Sequence, residues 1–250
     1  MAESRPFAVV TGASSGIGRE LAQQFAGHGF DVLIAGADGG LDAAAGELAH
    51  GGTVIREVLS DLASPEEAER VVAAIAAIGR PVDALALTTG TGTGGAFIDV
   101  PLADEQRLIA VTVGATVHLA KQIVPDMVRR GSGRVLLTAP AATPAPRATA
   151  AASQAFVESF ADGLRQELDG TGVTVTSVLP GPADDPAEVA RDGFAALMAG
   201  RRQVVAGSVQ AKLQVAGTRL IPAQVRSAAG QVPGQVRAAV HARMTRPKES

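Results

Sequence analysis

The chain has 250 residues, enough for one α/β domain or two smaller ones and ample for a sizeable core. A formal net charge of −3 and a pI near 5.8 supply no general polyanion-binding field, which removes nucleic acid as the default partner. Cysteine is absent, so disulfides and thiolate chemistry are excluded; Trp, Tyr and Asn are absent too, and any chemistry proceeds without phenol or asparagine amide.

The amino-terminal MAESRPFAVV lacks a long apolar stretch behind a basic start, and no run of 18 or more apolar residues occurs, so the expected location is the cytoplasm. From there, short apolar runs alternate with helical patterns. FAVVTG (7–12), DVLIAG (31–36), TVIREVL (53–59), DALALTT (83–89), GRVLLTA (133–139), VTVTSVLP (173–180) and QVVAG (203–207) are strand candidates. Between them, RELAQQFAGHG, SPEEAERVVAAIAAIG, DEQRLIAVTVGATVHLAKQIVPDMVRRG, SQAFVESFADGLRQELDG and PAEVARDGFAALMAG show apolar spacing of three and four. Nearly all-apolar strands separated by helices predict a doubly wound parallel sheet of about seven strands, with ligand at the strands' carboxyl ends.

Residues 1–208 form the expected domain, and 209–250 read as a helical tail of different character. The tail sets Lys212, Arg219, Arg226, Arg237, Arg243, Arg246 and Lys248 against Glu249 alone, a net charge of +6 that leaves −9 for the rest. Its short amphipathic patterns are broken by Pro222 and by Pro233-Gly234, and they predict packing on the domain or on a sister subunit. Their mix of Ala, Gly and Val is too weakly apolar for a helix lying in a membrane surface.

TGASSGIG (11–18) stands between the first strand and the first helix. Gly12 permits a tight turn, Gly16 lets backbone approach a pyrophosphate, and Gly18 allows close packing of helix on strand. The helix N-terminus, with Ser14, Ser15 and Ile17 around it, then presents free N–H groups and a positive dipole end to phosphate.

TGASSGIG, with three residues between its first two glycines, resembles the short-chain dehydrogenase/reductase family. Asp61-Leu62 after the third strand resembles the family's adenine-contacting pair, and LALTTGTGTGGAF (85–97), which includes Gly90, its fourth-strand motif. TVHLAKQIVPDMVRRGSGRVLLT and SVLPGP are similar to its long helix with fifth strand and its sixth-strand turn, so the likeness runs from about residue 6 to 208. The resemblance implies a Rossmann-like domain, a nicotinamide dinucleotide, and a homodimer or homotetramer pairing through the long fourth and fifth helices.

The family's catalytic pattern is broken in this chain. The resemblance calls for a tyrosine as proton donor or acceptor, a lysine four residues on, a serine orienting the substrate carbonyl, and an asparagine supporting a water relay. Ala150 stands at the tyrosine position, Gln154 at the lysine position, Ala139 or Pro140 at the serine position, and Thr112 at the asparagine position. A methyl group has no proton to give, and a neutral amide cannot lower a phenol's pKa. After Pro180-Gly181-Pro182, Ala183-Asp184-Asp185 leads straight into the next helix, where the family carries a carboxamide-binding threonine and a covering lid. No catalytic residue is therefore assigned.

No other side chain nearby replaces the missing groups. His118 is a natural proton carrier, yet six helical steps turn it roughly 120° from the face Thr112 occupies. Ser153 has no adjacent base, and Arg147 is no general acid near neutral pH. Asp184 and Asp185 are expected to start the next helix, one of them capping it before Pro186. At the second strand's end, Ile34-Ala35-Gly36-Ala37-Asp38 contains no cation for a 2′-phosphate, and Ser15 rather than a basic residue precedes Gly16, which favours NAD over NADP with Asp38 on the ribose diol.

Three functions fit these residues. One is a noncatalytic dinucleotide-binding protein, by drift in a GC-rich lineage or by deliberate simplification. Another is an active carbonyl reductase or alcohol dehydrogenase with displaced catalytic groups. The last is a non-redox enzyme using a cavity lined by Thr88, Thr138 and Ser153.

Overall fold

The computed structural model describes residues 5–37, 40–49, 52–88, 95–138, 147–181 and 184–205. The predicted tail, 209–250, lies outside them, as do Asp38 and Gly90. The elements run β1 (Phe7–Thr11), α1 (Gly16–Gly27), β2 (Asp31–Gly36), α2 (Gly40–Leu48), β3 (Ile55–Leu59), α3 (Pro65–Ile78), β4 (Ala84–Thr88), α4 (Leu102–Ile109), a π turn (Ala110–Gly114), α5 (Ala115–Arg130), β5 (Gly133–Thr138), α6 (Ala148–Glu167), β6 (Val173–Leu179), α7 (Pro186–Met198) and β7 (Gln203–Val205).

All seven strands are parallel, in the order β3-β2-β1-β4-β5-β6-β7. The order reverses between β1 and β4, and such a switch point leaves a crevice at the strands' carboxyl ends. Every residue of β1, β2 and β4 is buried, as strands covered on both faces require. In the edge strand β3 only Val58 is buried.

Two apolar layers sandwich the sheet. On one face Val9, Leu85 and Leu137 meet Val71 of α3, Leu119 and Met127 of α5, and Val157 of α6. On the other, Val10, Ile34 and Ala86 meet Leu21 and Phe25 of α1, Leu41 of α2, and Phe194 and Leu197 of α7. Three of the chain's seven phenylalanines close that second layer, with Phe25 packed edge-on against both Phe30 and Phe194 at 5.1 Å between ring centres.

The helix boundaries follow local chemistry. Ser64 caps α3 by accepting the Glu67 N–H at 3.3 Å, with Pro65 next in line, and Gly79 ends it in the left-handed conformation at φ 66°. Asp185 caps α7 by accepting the Ala187 N–H at 3.1 Å, with Pro186 at the first helical position, as the sequence predicts.

The long predicted helix DEQRLIAVTVGATVHLAKQIVPDMVRRG is not uniform. Leu102–Arg130 is one 29-residue helical run, long and apolar enough by length and composition to cross a membrane. It packs here as a core helix, burying Leu119, Ile123 and Met127, and a π turn interrupts it around Thr112. One extra residue per turn rotates everything beyond it relative to a regular helix, and such bulges concentrate at functional sites.

Candidate functional site: the glycine loop and the strand ends

The turn after β1 folds as a cradle because three glycines meet three different demands. At Gly12 (φ 64°) a Cβ would meet Thr88 Oγ1 at 2.5 Å, and at Gly18 it would meet the Gly12 carbonyl oxygen at 2.2 Å. These two glycines let α1 press onto β1 and β4. Gly16 (φ 57°) needs glycine for its backbone conformation, yet has nothing within 4 Å of where a Cβ would stand. Its surroundings are open at the start of α1, where the first N–H groups of a helix have no intrahelical acceptor.

The neighbours of this loop are held with little slack. The Ala13 N–H donates to the Ala35 carbonyl at 3.0 Å, tying the loop to β2. Ser15 sits at the N-cap position in extended conformation, exposed, and its side chain makes no capping hydrogen bond. Ile17 packs against the α1-side core. Ser14 Oγ is shielded from solvent and has no hydrogen-bond partner among the described residues. Gly36 makes room for it, since a Cβ there would stand 2.0 Å from that oxygen. This function of Gly36 has no signal in the sequence beyond a glycine at a strand's end.

Asp61 and Leu62 lie at the end of β3, on the same rim. Asp61 Oδ1 accepts the Ala63 N–H at 2.9 Å and Oδ2 accepts Arg107 Nη1 of α4 at 2.8 Å. The backbone hydrogen bond first, then the Arg107 hydrogen bond, hold the carboxyl below its usual range despite partial burial. Leu62 is the only non-glycine residue with positive φ (55°) among the described residues, and it is buried. Its N–H donates to Ser60 Oγ at 3.3 Å. Arg107 was not singled out by the sequence, because its partner lies 46 residues away on another element.

Toward the ends of β4, β5 and β6, polar groups are turned inward. Thr88 and Thr11 are cross-linked reciprocally: Thr11 Oγ1 accepts the Thr88 N–H at 3.1 Å and Thr88 Oγ1 donates to the Thr11 carbonyl. The Gly181 N–H donates to Asp184 Oδ2 at 2.6 Å, so Asp184 closes the turn after β6. Ala150 on α6 is 7% exposed and Ser153 is 3% exposed. Thr112, in the π turn, is fully buried with no partner for Oγ1 among the described residues. His118 faces α3, with Nε2 3.1 Å from Glu69 Oε2. Arg147 is the extended residue before α6.

Ser153 lines a cavity of about 380 Å³, but its other walls are Ile109, Val113, Ala148, Thr149 and Ala152. That cavity lies between the α4–π-turn segment and α6, and neither Thr88 nor Thr138 lines it. The expected grouping of Thr88, Thr138 and Ser153 around one cavity is therefore not what surrounds Ser153. Arg19, the first basic residue after the loop, is paired with Glu47 of α2. Among the described residues no cluster of three or more His, Cys, Asp or Glu side chains is placed to hold a metal.

Known proteins carry the same architecture. The chain is 35% identical over 191 residues to a probable oxidoreductase, EphD, of Mycobacterium tuberculosis, a match covering 74% of this chain and 32% of that protein. It thus spans about a third of the length of that relative. A 1-deoxy-11-beta-hydroxypentalenate dehydrogenase of Streptomyces exfoliatus is 35% identical over 187 residues, 72% of this chain and 68% of that one. Among solved structures, a metagenomic short-chain oxidoreductase in complex with NADP superposes with a TM-score of 0.71 at 26% identity, covering 80% of this chain and 96% of the other. The short chain dehydrogenase family matches residues 6–193, and this chain belongs to that family.

Proposed function

We propose that this protein binds a nicotinamide dinucleotide and does not perform the family's hydride transfer. Binding is supported by the cradle: Gly16 leaves open space at the α1 N-terminus, and Ser14 Oγ is a shielded hydroxyl without a partner among the described residues. The glycine loop would hold the pyrophosphate, with Asp61 and Leu62 beside the adenine. When bound, the nicotinamide ring supplies a hydride donor or acceptor.

One observation carries the loss of chemistry. Ala150, buried on α6, stands where the family places its tyrosine, and Gln154 stands one helical turn on in place of the lysine. An alkoxide formed by hydride addition would find no acid there, and the absence of general acid catalysis alone forfeits about 10²- to 10⁴-fold in rate. Loss of the cation that positions the cofactor removes part of the larger proximity contribution.

NAD is the favoured dinucleotide. Ser15, before Gly16, offers no cation for a 2′-phosphate. Titration with NAD and NADH is expected to show saturable binding, with no absorbance change at the nicotinamide band across a panel of ketones, aldehydes and secondary alcohols. Turnover above the buffer rate with any of them sinks the noncatalytic reading and restores the active dehydrogenase.

A further inference from the structure

Asp61 is joined to the glycine loop through a short chain of contacts. Ser14 Oγ lies against Gly36 at the end of β2, where a Cβ would stand 2.0 Å from it, and the Gly36 carbonyl accepts the Ser60 N–H at 2.8 Å. Ser60, 3% exposed, shapes the turn that follows: its hydroxyl donates to the Glu67 carbonyl at 3.0 Å and accepts the Leu62 N–H at 3.3 Å. Leu62 is held at φ 55°, a left-handed conformation that costs a non-glycine residue energy and persists only where its surroundings over-determine it. The backbone that carries Asp61 is therefore set by its neighbours on β2 and α3.

Its side chain is fixed from further away. Asp61 Oδ1 accepts the Ala63 N–H at 2.9 Å and Oδ2 accepts Arg107 Nη1 of α4 at 2.8 Å. One hydrogen bond to each oxygen stops rotation about the last side-chain torsion, which is otherwise broad and roughly two-fold for aspartate. Without Arg107 the contact from Ala63 remains alone, and the plane of the carboxylate is free to turn. With its pKa held low, the group is ionised at neutral pH and can only accept. It offers about four acceptor sites, so about two stay open on a side chain that is 36% exposed. Arg107 is itself 51% exposed, and an ion pair this open adds little to stability. Its effect is on orientation rather than on the fold.

We propose that Arg107 is a positioning residue for the base of the dinucleotide: it orients the Asp61 carboxylate to accept the exocyclic amino group of adenine. This rests on the dinucleotide-binding reading above, and it assigns the choice of base to a pair that joins α4 to the turn after β3. Adenine presents N–H groups to the open lone pairs of Asp61. Hypoxanthine carries a carbonyl oxygen in place of that amino group, and it meets acceptor opposite acceptor.

Calorimetric titration of the full chain with NAD and with nicotinamide hypoxanthine dinucleotide measures this choice. The parent is expected to favour NAD by about tenfold. Arg107→Gln is expected to bring the two ligands within about threefold, by weakening NAD while leaving the hypoxanthine analogue nearly unchanged, at a melting temperature equal to the parent's. Equal weakening of both ligands, with or without a lowered melting temperature, marks Arg107 as merely structural and overturns the proposal. So does a preference that survives in Arg107→Gln, or a parent that binds both ligands alike; each of these leaves dinucleotide binding intact. If the parent binds neither ligand, the dinucleotide-binding reading itself fails and the proposal falls with it. Asp61→Asn completes a double-mutant cycle: once the carboxylate is gone, Arg107→Gln is expected to change the preference no further. An effect of Arg107→Gln on the preference in that background means that Arg107 does not act through Asp61, and overturns the assignment.

Discussion

A Cβ on Gly18 would stand 2.2 Å from the Gly12 carbonyl oxygen and 2.7 Å from Thr88 Oγ1. Two of the three loop glycines are thus required by the packing of α1 on β1 and β4, while Gly16 alone faces open space. Gly18→Ala is expected to lower stability, because the obstructing atom is backbone that cannot rotate away. Overpacking of this kind costs roughly 1–3 kcal/mol, and the gain of about 1 kcal/mol in helix propensity does not cancel a clash this close. Chemical denaturation reads the difference. A variant as stable as the parent would mean that the loop shifts freely, and that the cradle is not a fixed receptor.

At the opposite, amino-terminal end of the sheet, Asp31 ties three segments together. Its Oδ2 pairs with Arg80 Nη1 at 2.5 Å and its Oδ1 accepts the Val54 N–H at 3.0 Å, while Arg80 also donates to the Arg5 carbonyl. Burial pushes the carboxyl's pKa up, but the hydrogen bonds from Arg80 and Val54, with the Arg80 and Arg5 charges, outweigh it and the net shift is downward. A depressed folded value means stabilisation present above the unfolded pKa of about 3.9 and lost as pH falls through the folded one. Asp31→Asn is therefore expected to cost about 2–3 kcal/mol at pH 7, with the gap from the parent narrowing below about pH 4. A gap independent of pH would show that the carboxylate's charge is irrelevant.

Glu57 behaves in the opposite sense. Partial desolvation, then a hydrogen bond and repulsion from Asp42 of α2, raise the pKa of this exposed carboxyl. Two carboxyls in contact share a proton more readily than they both ionise, so the folded protein binds that proton at higher pH than the unfolded chain does. The strain is present when both groups are ionised and is relieved as pH falls through the raised value. Glu57→Gln is expected to raise the melting temperature at pH 7 and to leave it nearly unchanged in acid. A drop at pH 7 would mean that Glu57 is stabilising as a carboxylate, and would reverse the assignment.

How far the sequence carried the fold depends on what each element buries. The central strands are legible because parallel strands covered on both faces are mostly apolar, as in FAVVT of β1, DVLIAG of β2 and ALALT of β4. Each predicted run contains its strand with at most two residues to spare at either end. α2 has no clear sequence signal, since GLDAAAGEL is short and rich in alanine, which marks no face. The π turn at Ala110–Gly114 was equally silent, as AVTVG continues the apolar spacing without a break. For the site, the glycine turn was readable from TGASSGIG because glycine spacing encodes backbone geometry directly. The Arg107–Asp61 pair, the Thr11–Thr88 cross-link and the accommodation of Ser14 by Gly36 were not, because each joins residues on different elements whose proximity only the fold creates.

Thr112 carries an unmatched hydroxyl in the core. Its side chain is fully buried and Oγ1 has no hydrogen-bond partner among the described residues. A buried hydroxyl left unmatched costs about 1–3 kcal/mol, whereas an apolar group of the same shape at that place does not carry the penalty. Valine is nearly isosteric with threonine, and both are β-branched with similar helix propensity, so the π turn is not perturbed for other reasons. Thr112→Val is accordingly expected to stabilise the protein by about 1 kcal/mol, read as a shift in the denaturation midpoint at unchanged slope, and to leave NAD affinity unaltered. If the variant is instead less stable, or if it binds ligand more weakly, then the hydroxyl has a polar partner in solution and Thr112 belongs to a working site.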